Sequence, residues 1–244
     1  MLAASAVLSA CSSRYVTPGG PAPIGAMTAA SVADRYRTAP ESPMPATLAF
    51  TRLQAAGYRS FSAGGTDRNG VSMVGPKDLE RDGDLEAVRA WPSVREVVRL
   101  TPIVVPVGAD PAFPVRDGAA PPQRDPMLAL REGAATLHAD ILLVYTIDTE
   151  FDVNQVDIGP LGVVTLGFVP NRSAVVRCTA SAAFFDVRTG YCYGTAEASA
   201  KDDQAANHWT TDQAIDDCRR RVERKAFEEL TAEAGEVWRR AARS

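Results

Sequence analysis

Along the chain the apolar positions change period several times, and each change predicts an element. Ala46-Thr-Leu-Ala-Phe-Thr-Arg-Leu53 follows a proline and alternates apolar with polar, as a first strand would. Val71–Val74 forms a candidate short second strand inside a stretch rich in Gly, Ser and Asp. Leu79–Leu100 reads as one or two helices broken at Trp91-Pro92, because proline disfavours helix in the residue before it. Ile103-Val-Val-Pro-Val107 reads as a short buried strand, and the prolines at 111, 114, 121, 122 and 126 predict a loop from Asp110 onward. Asp125-Pro126 opens a helix over Met127–His138, with Leu128, Ala135 and Leu137 as its expected apolar face. Asp140–Asp148 begins as an unbroken apolar run, the pattern of a central strand covered on both faces.

Residues 174–200 alternate on either side of Asp186-Val-Arg-Thr-Gly190, which predicts a long hairpin: the Asp side chain bonds the backbone that follows, and Gly takes the positive φ. One face carries Val176, Cys178, Ala180, Ala182 and Phe184, answered by Cys192, Gly194, Ala196, Ala198 and Ala200. Residues this small let a helix sit close. The other face, with Arg177, Thr179 and Ser181 opposite Tyr193, Thr195 and Glu197, is polar and expected to be wet. The covering helix is the last one. It is capped near Thr210-Thr211-Asp212 and repeats Ile215, Cys218, Val222, Ala226, Leu230, Ala234, Val237 and Ala241 at spacings of three and four. Arg219-Arg220-Arg221 and Arg224-Lys225 are expected on its solvated side. The whole predicts an α/β (α+β) chain: a mixed sheet with helices packed on it, a long β-hairpin and a C-terminal helix.

The 244 residues carry a formal net charge of -4 with 23% charged side chains, which suits a folded domain and argues against a nucleic-acid binder. No stretch approaches the roughly 18 apolar residues of a spanning helix. The beginning is different in kind. MLAASAVLSAC runs small and apolar residues into Leu8-Ser9-Ala10-Cys11, which resembles a bacterial lipobox. That resemblance implies cleavage before Cys11, a diacylglyceryl group on its thiol and an N-acyl chain on its amine, palmitate among the expected acyl groups. A start upstream of Met1 would supply the basic segment such signal peptides carry. Ser12 in place of Asp implies the outer membrane, with the domain facing the periplasm. Residues 1–10 are then the signal peptide and 11–45 a Pro/Gly-rich lipidated tether, with a short helix near Thr28–Tyr36. A single domain follows over 46–244.

The element order, with HADILLVYTIDTEF followed by TASAAFFDVRTGYCYGTAEASA, resembles the α/β domain of CsgG-type curli-secretion lipoproteins and of the TolB N-terminal domain. Ala139, Asp140, Asp186, Val187, Thr189 and Gly190 are the residues that carry the likeness. Pro170-Asn171-Arg172 before the hairpin is similar to uncharacterised envelope lipoproteins of bacteria. CsgG-type channels insert two transmembrane hairpins per subunit. This chain offers one short candidate, 154–173, and a membrane strand needs about 9–11 alternating residues. Val163, Val164, Leu166 and Phe168 therefore read as core, or as an apolar surface for a partner protein.

Signs of catalysis are sparse. The chain has only His138 and His208, and lacks Gly-x-Ser-x-Gly, H-E-x-x-H and a phosphate loop. Asp148, Glu150 and Asp152 recur at every second position, so a straight strand puts them on one face; they are the weak candidates for a metal, and a solvated strand face is the preferred reading because no Gly-turned loop gathers them. With Cys11 lipidated, Cys178, Cys192 and Cys218 remain, an odd number. Small buried residues are the default reading, and a bridge from Cys178 or Cys192 to Cys218 stays open. The expected function is a non-catalytic outer-membrane lipoprotein that binds an envelope protein, with no cofactor beyond its lipid and no nucleic acid. The alternatives are a subunit of an oligomeric CsgG-like channel and, behind it, a metal-dependent enzyme; the oligomeric state itself stays open.

Overall fold

A computed structural model of the chain describes residues 12–16, 21–22, 32–59, 64–76, 79–106, 125–155, 172–206 and 211–243. In chain order the elements are β1 (Ser12–Val16), α1 (Val32–Arg37), β2 (Ala46–Ala55), β3 (Gly65–Arg68), β4 (Val71–Val74), α2 (Asp82–Arg89), β5 (Val94–Arg99), α3 (Pro126–Thr136), β6 (Ile141–Gln155), β7 (Arg172–Asp186), β8 (Cys192–Ala206) and α4 (Thr211–Ala241). The strands form one mixed sheet in the order β3-β4-β2-β6-β7-β8. On one side of β2, β5 runs parallel to residues 46–50 and β4 antiparallel to residues 52–55. On its other side β2 is parallel to the start of β6, whose far end pairs with β1.

Two apolar layers hold helices to this sheet. On β6, Ile141, Leu143, Tyr145 and Ile147 point into a core closed by α4 and α2, while Leu142 and Val144 point into a second core under α3. That split is why the segment is apolar without alternation: both faces are dry. The hairpin is as expected, with β7 and β8 of 15 residues each and Gly190 at φ 75° in the turn. Val176, Cys178, Ala180, Ala182 and Phe184 lie beneath α4. At about 1.5 Å per helical residue and 3.3 Å per strand residue, the 31-residue α4 and the hairpin are nearly equal in length, roughly 45–50 Å. Phe227 of α4 completes an aromatic stack, 5.0 Å from Tyr145, which in turn stands 5.2 Å from Phe50.

Several expectations are corrected. Val94–Arg99 is a strand rather than helix, because its β-branched residues pair in parallel with β2; α2 is only the first half of the expected helical region. Gly65–Arg68 adds a strand opposite β4. Ile103 is in a turn and 88% exposed, so 103–107 is no buried strand over its described part. On α3 the buried residues are Met127, Ala129, Leu130, Gly133 and Ala134, and Leu128 and Ala135 face outward. Cys192 leaves the helix-facing row: Phe184 pairs with Gly194 and Phe185 with Cys192, so Tyr193 is bulged and Cys192 turns to the face of Phe185. Arg219 is buried beneath α4 instead of solvated. Within 11–45, the expected tether, three stretches contact the domain. Ser12–Val16 pairs with residues 150–154 of β6, Ala22 donates its N–H to Thr146 Oγ1, and Glu41 and Ser42 dock on Asp186.

Candidate functional site

The hairpin turn is built around one carboxylate. Asp186 Oδ1 accepts the backbone N–H groups of Arg188 and Thr189, each at 2.9 Å, which closes the Asx turn. Its Oδ2 accepts Glu41 N and Ser42 N at 2.8 Å and the Tyr193 hydroxyl at 3.1 Å. Burial alone would raise this pKa; the hydrogen bonds from Thr189, Glu41 and Ser42 outweigh it and lower it to about 2. Asp140 makes the neighbouring knot. Its Oδ2 accepts Thr47 N at 3.0 Å and its Oδ1 accepts Arg188 Nη2 at 3.2 Å, so it ties the starts of β2 and β6 to the turn. The residues that carry the family resemblance thus act as a structural clasp.

Beside the clasp a cleft of about 280 Å³ opens between α1, α3 and the turn. Arg35 and Arg131 supply its positive charge, Asp125 its carboxylate, and Leu128, Tyr191 and Cys192 much of the remaining wall. Asp125 is committed as the N-cap of α3, accepting Met127 N at 2.9 Å. Arg131 donates Nε to Val187 O at 2.9 Å and Nη2 to Arg188 O at 2.5 Å, and burial lowers its pKa although Asp186 and Asp125 favour its charge. The walls around the accessible Cys192 raise its pKa through desolvation, so at neutral pH it is a protonated thiol, a poor nucleophile. The cleft has the chemistry to receive an acidic side chain beside an apolar one.

The other expected residues fall elsewhere. Asp148 and Glu150 share the face of β6 away from α4, opposite Thr179 and Arg177 in the ladder. Burial and the Glu150 charge raise the pKa of Asp148. The side chain of Asp152 lies outside the described residues, and among the described residues no three His, Cys, Asp or Glu gather as a metal site. Cys11 and the surface candidates Val163, Val164, Leu166 and Phe168 also lie outside them. Cys178, Cys192 and Cys218 form no disulfide among the described residues; Cys178 is pushed up to about 12 by burial and by Glu223.

Sequence reasoning missed the polar groups buried beneath α4. Arg219 pairs with Asp216 at 3.0 Å and Glu223 at 2.7 Å, and Glu223 accepts the Thr149 hydroxyl at 2.9 Å. The spacing of Asp216, Arg219 and Glu223, three and four apart, was the available signal. Glu80 receives the Tyr145 hydroxyl and the Arg99 guanidinium, and the buried Tyr145 has its pKa raised well above the ordinary phenol value. Asp216 Oδ2 is left without a hydrogen-bond partner, with Arg220 Nε 3.2 Å away as its ion pair. In comparisons with known proteins, no family model matches the chain, and no curated protein matches it.

Proposed function

We propose that the protein is a non-catalytic lipoprotein of the bacterial outer membrane, held through acyl chains on Cys11, whose domain binds an envelope protein partner. The cleft between α1, α3 and the hairpin turn carries this reading. Its lining carries two arginines against one carboxylate, Asp125, which is committed as an N-cap; Leu128 offers apolar surface at 45% exposure, and its one thiol stays protonated. Such a wall recognises rather than reacts, and it suits a partner segment with a carboxylate next to an apolar residue. The pairing of Ser12–Val16 with β6 supports a short connection, so that a lipid on Cys11 holds the domain body close to the bilayer. Labelling cells with a radioactive fatty acid tests the anchor. The wild type incorporates label and the Cys11→Ala variant does not; equal labelling of both refutes it.

A further inference from the structure

The main path of the sheet, from which β1 and β5 branch, ends in two edges of very different length. β3, at one end, has four residues, whereas β8, at the other, has 15. Among the described residues β8 pairs only with β7, so its outer row of N–H and C=O groups meets no strand. Long edges are normally blunted by proline, a bulge, charged side chains or a covering element; the exposed charges of β8, Glu197 and Lys201, are of opposite sign and can complement each other across a two-fold axis. β8 contains no proline, and its one irregularity, at Tyr193, lies at its very start.

We propose that β8 pairs antiparallel with β8 of a second copy of this chain, around a two-fold axis at Ser199. Ser199 is the midpoint of Cys192–Ala206, so this register pairs the strand along its whole length. It also sets Glu197 of each copy against Lys201 of the other, since the two are equidistant from Ser199. Both are exposed and lie on the face away from α4. Within one copy Lys201 stands directly across from Arg177, a like-charge pair that Glu150 on the far side of Arg177 offsets only in part. A carboxylate arriving from the second copy offsets that repulsion.

The helix above follows the same symmetry. α4 runs antiparallel to β8, for Arg221 bonds Asp202 at 3.2 Å while Val237 lies against Gly194. The point of α4 level with Ser199 is therefore near Phe227. Arg221, Lys225, Glu229 and Glu233 form an exposed row at four-residue spacing beside the buried row. The axis carries Arg221 toward Glu233, and Lys225 toward Glu229, of the second copy. Because α4 lies above the β7–β8 pair, strands about 4.8 Å apart bring the two helices to about 10 Å, the spacing of packed helices. The interface is isologous and closes at two copies, with no free β8 edge left to extend it.

Sedimentation velocity on the full chain in detergent, over a concentration series, tests this. The wild type sediments as a dimer. Glu197→Lys or Lys201→Glu alone turns both cross-axis pairs repulsive and raises the dimer dissociation constant about tenfold, and the double exchange restores it. Under oxidation Ser199→Cys links to its own counterpart, because directly opposed residues have Cα atoms about 4.5–5.5 Å apart. Thr195→Cys does not, since the register separates the two copies of that position by about 27 Å. Three results would overturn the proposal: a monomer at every concentration, an assembly larger than two, or a dimer indifferent to the charge exchange and unlinked at position 199.

Discussion

Replacing Asp186 by asparagine keeps the shape of the clasp and removes its charge. The wild-type carboxylate is fully buried and accepts bonds from Glu41, Ser42, Arg188, Thr189 and Tyr193. Its pKa falls from an ordinary 3.8 to about 2 in the fold. A difference of that size, at about 1.4 kcal/mol per unit, corresponds to about 2 kcal/mol of stability. Because the folded value is the lower one, that contribution is fully present above about pH 4. It is lost as pH falls toward 2, where the folded carboxylate also protonates. The substituted side chain carries an amide with two donors where the aspartate only accepts, so N–H groups of the turn or of residues 41–42 lose their partner. Urea unfolding of the full chain in detergent should show the Asp186→Asn variant less stable by about 2 kcal/mol at pH 7, or about 4–8 °C in Tm for a domain of this size. Between pH 4 and pH 2 the gap should close, because the wild type loses what the variant never had. A variant as stable as wild type at pH 7, or a gap that stays constant down to pH 2, refutes the reasoning.

Arg219→Ala leaves Glu223 buried without its cation and Asp216 with Arg220 alone, and should cost about 3–5 kcal/mol; Arg219→Met combined with Glu223→Leu should recover much of it, read by the same urea titration. Trp238 is fully buried and donates Nε1 to Pro92 O at 2.7 Å, so Trp238→Ala should cost about 3–5 kcal/mol and Trp238→Phe less, as measured by thermal melts. Gly194 sits at φ 154°, and a Cβ there would approach Val237 Cγ1 to 2.8 Å; Gly194→Ala should destabilise by about 1–3 kcal/mol, and Val237→Ala should relieve part of the loss. Of the three remaining thiols, a maleimide on the native protein should modify Cys192 alone, checked by peptide mass mapping, since Cys178 and Cys218 are buried.

What could be read from the sequence was set by how local each decision is. The strand from Ile141 and the hairpin around Asp186-Val-Arg-Thr-Gly190 announce themselves because their own side chains, and the turn chemistry of Asp and Gly, decide them. Val94–Arg99 does not, since only Val97 is buried and its strand form depends on pairing with the distant Ala46–Phe50. Cys192 was assigned to the wrong face by a single bulged residue, Tyr193, which inverts the alternation that follows a regular turn. Arg219 sits in a run of three arginines whose outward appearance is uniform; its pairing with Glu223 is local, but the burial of that pair follows from Thr149 on the distant β6. The cleft is the least local feature, assembled from α1, α3 and the turn, and nothing in the spacing of Arg35, Arg131 and Tyr191 brings them together.

The direct test of the binding role is a photo-crosslinking residue at Leu128, on the cleft wall, with one at Ile103 as an exposed control, in cells making the full lipidated chain. The expected result is a discrete crosslinked envelope protein from position 128, absent from position 103 and diminished when Arg35→Glu reverses the charge of the rim. Capture of the same proteins from both positions, or a crosslink from 128 unaffected by Arg35→Glu, would contradict recognition through this cleft.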